Sequence, residues 1–254
     1  MTKRIRMDEP FANTLKYLRL WGVLAHWDEY VALAEQQDFS PVRWLRYVLE
    51  EESKLHAANS RRLRLLRAKI PDLWRMETFP FERQPNLNKK RLLALYDAFE
   101  YMEKHHNFCF IGPTGVGKTS LATAFLIQAI ERGSSGRYVL FPDLVNELFR
   151  SVADHSEAQV VGRYLAYDPL LVDELGYVEM EPTQVGLFFT LMHKRHRRKC
   201  TLITSNLGFA EWGSFLKNPH LTAALIDRLT ENSHVCNMSK CRSLRPTLQE
   251  KPEA

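Results

Sequence analysis

Hydrophobic spacing divides the chain into two parts. Over residues 14–37 (TLKYLRLWGVLAHWDEYVALAEQQ), apolar side chains at Leu15, Leu18, Leu20, Val23, Leu24 and Trp27 recur close to every third or fourth position. That spacing predicts helices. Another helix starts at FSPVRWL, with Ser40 as N-cap and Pro41 at the first helical position, and runs to Pro71. The tryptophans Trp21, Trp27 and Trp44 fall among the apolar positions and are expected in the core of this helical part. After it, LWRMETFPFERQPNLN holds Pro80 and Pro85 and reads as an extended linker.

The pattern then changes. Short apolar runs (FCFI, RYVLF, PLLVDE, CTLITSN, SHVCNM) alternate with longer helical segments. The helices are expected over Lys89–Lys104, from Lys118, across 143–166 in two pieces, over 183–199 and over 219–232. Alternating strands and helices predict an α/β fold, a parallel sheet flanked by helices. The expected organisation is an N-terminal all-helical domain over 1–70 for partner or DNA binding, a linker over 71–88, an α/β domain over 89–245 and a disordered tail over 246–254.

Composition narrows the setting. The 254 residues allow a full core in one large domain or one plus a small one. No apolar run approaches the roughly 18–20 residues that span a bilayer. MTKRIRMDEPFANT has no apolar stretch after its basic residues, so it does not read as a signal peptide. Cys109, Cys200, Cys236 and Cys241 form no CxxC pair, which argues against zinc or a disulfide framework. Cys109, inside an apolar strand, reads as a buried thiol. A cytoplasmic protein is expected, with no membrane partner. The net charge of +5 points mildly toward an acidic partner such as nucleic acid.

The candidate chemistry starts at residues 112–119, GPTGVGKT. This is a complete phosphate-loop pattern (Walker A): Gly112, Pro113, Thr114, Gly115, Val116, Gly117, Lys118 and Thr119, followed by Ser120. Its glycines let backbone N–H groups curl around a β-phosphate, and the next helix points its positive end there. Lys118 is suited to the β/γ oxygens and the Thr119 hydroxyl to Mg²⁺. The run PLLVDE (Walker B) delivers Asp173 and Glu174 to the same edge of a parallel sheet. Asp173 is placed to hold Mg²⁺ through water, Glu174 to polarise the attacking water. A switch GTPase needs only the first acid, so the second argues for a hydrolysing ATPase. LITSN ends a further strand in Thr204, Ser205 and Asn206, able to set a polar side chain such as Asn206 between the acids and a γ-phosphate. By itself it is also an ordinary strand end.

In this order the motifs resemble AAA+ ATPases: Walker A, Walker B with Glu, and a polar sensor. DELGY, the block LITSNLGFAEWGSFLKNPHLTAALIDRL and the helical, basic N-terminal part resemble the IstB-like transposition helper ATPases of insertion sequences. These are relatives of the helicase loader DnaC and the initiator DnaA, and the likeness runs from about Thr14 to about Met238. It implies that Arg228 in ALIDRL is an arginine finger reaching ATP bound by a neighbouring subunit, and hence a homo-oligomer with ATP at its interfaces. On residues alone, Asp227–Arg228 reads rather as ordinary charges on a solvated helix. It also implies a cognate transposase as partner, recruited or stimulated at target DNA. The chain departs from the family near its C-terminus. NMSKCRSLRP stands where a G-E-S-[YW]-R-like sensor 2 is usual, leaving Arg242 or Arg245 as candidates. Only 48 residues follow Asn206, too few for a separate helical lid.

Non-specific contact with double-stranded DNA has three candidate surfaces. Lys54, Arg61, Arg62, Arg64, Arg67 and Lys69 form a basic stretch without an acid; each cation set on a phosphate would release counterions. It is equally a solvated helix face. HKRHRRK (193–199) ends a helix at the sheet edge opposite the phosphate loop and is read as structural. Arg150 and Arg163 lie on the helical insert that, in the initiator-like branch, lines a DNA channel. The rival functions are a DnaC-like helicase loader, a small-molecule phosphate-loop kinase and a nucleotide-dependent binding module that barely hydrolyses.

Overall fold

A computed structural model describes residues 7–245; the tail expected over 246–254 lies outside the described residues. The chain divides into two compact units, up to Leu63 and from Arg64, with the division inside a helix rather than at the proline-containing stretch.

The first unit holds α1 (Glu9–Tyr17), α2 (Trp21–Gln36) and most of α3 (Pro41–Ala68). Leu15, Val23, Tyr30 and Val48 are its buried centre, with Trp27 and Trp44 packed against them edge to face at 5.7 Å. Trp21 corrects the expectation for the three tryptophans: it opens α2 and is 55% exposed. As expected, Ser40 caps α3, its hydroxyl accepting from the Arg43 N–H at 3.3 Å. The start of α2 has no capping side chain of its own. Glu52, buried on α3, accepts from the Val23 N–H at 2.8 Å and satisfies one free helix-end donor. Gly22 permits this approach, since a Cβ there would lie 2.6 Å from the Glu52 carboxylate.

The second unit is built on five parallel strands: β1 (Asn107–Ile111), β2 (Arg137–Leu140), β3 (Leu170–Leu175), β4 (Thr201–Ser205) and β5 (Ser233–Asn237). Their order is β2-β3-β4-β1-β5. The helices are α4 (Lys89–Ala98), α5 (Glu100–Glu103), α6 (Lys118–Glu131), α7 (Phe141–Ala153), α8 (Glu157–Leu165), α9 (Pro182–Arg195), α10 (Trp212–Leu216) and α11 (Pro219–Thr230). One buried cluster joins β3, α7, α9 and α11; another joins β1 and α6 to the chain before β1. The central strands β1, β3 and β4 are buried along their length except at Glu174, because both faces of the sheet are covered. Cys109 sits in β1 with no exposure, and burial pushes its thiol up to about 12.

Three local expectations change. The helix expected over Lys89–Lys104 breaks at Phe99, which adopts a left-handed conformation (φ 57°). Its ring packs on Tyr101 at 5.2 Å and lies 4.2 Å under the Arg132 guanidinium, so packing overrides helical propensity. The helix expected to run to Lys199 ends at Arg195. Arg195 is fully buried and donates to the carbonyls of Tyr164 (3.0 Å), Tyr167 (2.8 Å) and Cys200 (2.6 Å) and to the Thr201 hydroxyl (3.1 Å). Burial lowers its pKa to about 10, still a cation at neutral pH. Finally, residues 71–88 are anchored by two single-turn 3₁₀ helices, and Met76, Phe79, Phe81, Gln84 and Leu87 are buried.

Candidate nucleotide site

The strands are parallel, so the carboxyl ends of β1, β3 and β4 meet at one edge, in register Ile111↔Ser205 and Val172↔Ile203. The phosphate loop leaves β1 there and enters α6. Gly117 sits at φ 96°, a left-handed conformation that glycine adopts without penalty. A Cβ at Gly117 would also meet the Phe79 ring at 2.7 Å. No side chain caps α6, so its first N–H groups remain available at the loop.

Lys118, only 8% exposed, directs its ammonium into this loop. It donates to the carbonyls of Gly112 (2.7 Å) and Pro113 (2.8 Å) and to Asn206 Oδ1 (2.6 Å). Burial lowers its pKa; Asp173 and Glu174 counter this, and Arg245 adds to it. An anion beside the ammonium would relieve that penalty. Asp173 is buried and accepts from three hydroxyls: Thr119 (2.9 and 3.2 Å to its two oxygens), Tyr138 (2.9 Å) and Thr204 (2.5 Å). Thr119 and Asp173 therefore offer two hard oxygen donors side by side, the type Mg²⁺ takes when it also binds phosphate. Magnesium fits these residues.

Glu174 follows at φ 62°, left-handed for a non-glycine residue, where β3 shifts register against β4. The irregularity keeps Asp173 and Leu175 buried while Glu174 is exposed. Its N–H donates to the Thr204 hydroxyl at 3.0 Å, tying the strained residue to β4. Asn206 bridges Lys118 and the Tyr177 hydroxyl, to which its amide donates.

These groups border a cavity of about 510 Å³, within the usual range for small-molecule sites. Gly115, Gly117, Lys118, Thr119, Ser120, Glu174 and Asn206 line it. So do residues to which sequence reasoning gave no role: Asp72, Trp74, Pro80 and Arg83 from the anchored stretch, and Tyr177. Only spatial proximity reveals them, apart from Tyr177 in DELGY. Of the two sensor 2 candidates, Arg245 lines the cavity. Arg242 is exposed and does not. Arg228 is also absent from the lining: its guanidinium donates to His193 Nδ1 (3.0 Å) and the Ala224 carbonyl (2.9 Å) and lies 4.8 Å over Phe189.

A second cavity, about 670 Å³, gathers Lys69, Arg150 and Arg163 and adds Arg137, with Asp143, Glu147 and three tyrosines. Arg163 pairs with Glu147, which also accepts from the Tyr164 hydroxyl. Burial pushes Glu147 up, but those two bonds prevail and hold its pKa down. The rest of the basic stretch lies elsewhere. Lys54 donates to Glu51 at 2.6 Å in the first unit, which also contains Arg61 and Arg62. Arg64 donates to the Ile130 carbonyl at 3.3 Å, and Arg67 is exposed. No helix among the described residues is long and apolar enough to cross a membrane.

Comparison with known proteins gives a consistent picture. Residues 13–253 match the family described as IstB-like ATP binding protein. The insertion sequence IS232 putative ATP-binding protein of Bacillus thuringiensis subsp. berliner is 28% identical over 230 residues, covering 91% of this chain and 92% of that protein. The IS21 putative ATP-binding protein of Pseudomonas aeruginosa is 28% identical over 240 residues, covering 94% and 89%. Among solved structures, the DnaC helicase loader superimposes with a TM-score of 0.54 at 22% identity, over 64% of this chain and 95% of that one. AMPPCP-bound DnaA from Aquifex aeolicus gives 0.55 at 15% identity, over 69% and 52%. These last two likenesses identify the fold as that of the AAA+ proteins.

Proposed function

The chain belongs to the IstB-like ATP-binding protein family, and from that premise we propose that it is an ATPase that assembles on duplex DNA and recruits or stimulates a transposase there. The observation that carries the reading is that Lys118, Thr119 and Glu174 line one cavity, with the buried Asp173 carboxylate bonded to Thr119 just behind its wall. A buried cation, a buried carboxylate beside a hydroxyl and an exposed carboxylate are the groups that phosphoryl transfer to water uses, which supports the reading.

Lys118 and the N–H groups opening α6 hold the phosphates. Thr119 and Asp173 would hold magnesium, which would supply positive charge against the transferred phosphoryl group. Asn206, bonded to Lys118, reads the γ-phosphate position. Glu174 takes the proton of the attacking water on its carboxylate; its exposed side chain on the cavity wall suits that role. Trp74 and Pro80 offer apolar surface for the base. Arg228 lies outside its own subunit's cavity, so it serves as a finger only toward a neighbour. The second cavity is the surface proposed for DNA phosphates. Nothing in it resembles a base-reading motif, so backbone contact without sequence preference is expected. The homologues' insertion-sequence names favour a transposase over a helicase as partner. We place the protein in the cytoplasm.

The test is mixing. Glu174→Gln should bind ATP and abolish its hydrolysis, and Arg228→Ala should bind ATP but lose the hydrolysis that assembly brings. Mixed together, the two variants should regain activity at interfaces where a Glu174 site meets an intact Arg228. Full hydrolysis by monomeric Arg228→Ala, or no recovery on mixing, contradicts the shared site.

A further inference from the structure

The C-terminal part of the second unit does not stop at the sheet. After β5, residues 238–245 turn back across the phosphate loop. The Met238 N–H donates to the Ile111 carbonyl at 2.6 Å, and the Leu244 N–H to the Gly115 carbonyl at 2.8 Å. The approach is close: a Cβ on Gly112 would lie 2.7 Å from the Met238 backbone, and one on Gly115 2.6 Å from the Ser243 hydroxyl oxygen. This strap ends in Leu244 and Arg245, both on the wall of the nucleotide cavity.

One side chain fastens it. Gln84, 1% exposed, lies in the anchored stretch before β1. Its Oε1 accepts from the Arg242 N–H at 3.0 Å, and its Nε2 donates to the Arg242 carbonyl at 2.6 Å. The amide thus pairs with one residue of the strap as a neighbouring strand would. The same Nε2 donates to the Val116 carbonyl, inside the phosphate loop, at 3.0 Å. Both amide hydrogens and the carbonyl oxygen are used, in a site closed to water. Asn86 adds a parallel tie, donating to the Lys240 carbonyl at 2.7 Å. A carboxylate of the same shape would set negative charge against two carbonyl oxygens and lose both donors.

We propose that Gln84 is a positioning residue for the nucleotide site: it locks the 238–245 strap to the phosphate loop and so holds Arg245 at the bound nucleotide. The inference rests on the nucleotide-binding reading of this cavity. It gives the segment that lacks the family's sensor 2 pattern a way to present an arginine to the nucleotide.

The test is a double-mutant cycle on the full chain, read as the dissociation constant of a fluorescent ATP analogue with Mg²⁺. Gln84→Ala and Arg245→Ala should each weaken binding about tenfold, the scale of one charge-assisted hydrogen bond. The pair together should be no weaker than Arg245→Ala alone, because Gln84 acts through Arg245. Gln84→Glu, which keeps the volume, should behave as Gln84→Ala does. Additive losses, or wild-type affinity in either Gln84 variant, would overturn the proposal. Hydrogen exchange on the unaltered protein keeps the question open to refutation if the variants do not fold. The Arg242 and Leu244 amides should exchange slowly; exchange at the rate of a free peptide overturns the fastening. Failure of the unaltered protein to bind the analogue would instead remove the nucleotide reading itself, and this inference with it.

Discussion

At the nucleotide cavity, Lys118 uses its ammonium protons on two phosphate-loop carbonyls and Asn206, and just behind it three hydroxyls converge on the Asp173 carboxylate. In the second cavity, Arg163 and Glu147 pair while 48% and 40% exposed, and Lys69 and Arg150 are exposed. Both are lined by cations, but they are prepared for different ligands. The first sets buried charges in fixed geometry, which suits one compact anion and its metal. The second spreads exposed cations over a larger surface, which suits a polyanion held by counterion release. On the proposed reading, preorganisation is what separates the site for chemistry from the site for adhesion.

Removing the central cation should separate the two most strongly. Lys118→Ala should weaken ATP binding about 100-fold by titration, the loss of more than one charge-assisted bond. Its DNA affinity without nucleotide should stay near that of the unaltered protein. A parallel fall in both would mean that the cavities are not separate. Smaller effects should follow in the other cavity. Arg150→Ala and Arg163→Ala should leave ATP affinity in place. Each should weaken DNA binding severalfold and flatten the plot of log affinity against log salt by about one unit. An unchanged slope would take these residues out of the DNA surface.

The same contrast explains what was legible in the sequence. The phosphate loop is a local pattern, because eight consecutive residues must wrap one phosphate, so GPTGVGKT could be read directly. Asp173 and Glu174 were legible because a buried strand can end in carboxylates only at a sheet edge. The second cavity is assembled from side chains as far apart as Lys69 and Arg163, and only Arg150 and Arg163 were singled out together. Gln84 and Arg242 are 158 positions apart, and nothing in ERQPN marks its glutamine as buried. Within HKRHRRK, composition suggested a structural end to a helix but did not distinguish Arg195, which the fold takes fully inside, from its exposed neighbour Arg197. Trp21 was misplaced for the related reason that helical spacing finds a face but not whether a short first turn covers it. Burial and pairing between distant segments are properties of packing, and periodicity does not report them.

If ATP drives assembly on DNA, the state of the first cavity governs what the second one binds. Sedimentation of the full chain on a long random-sequence duplex, with ATP, with ADP and without nucleotide, at low and moderate salt, tests it most directly. Large complexes are expected with ATP, smaller ones with ADP, and all should dissolve as salt rises. A monomer whose sedimentation is unmoved by DNA in every nucleotide state would contradict it.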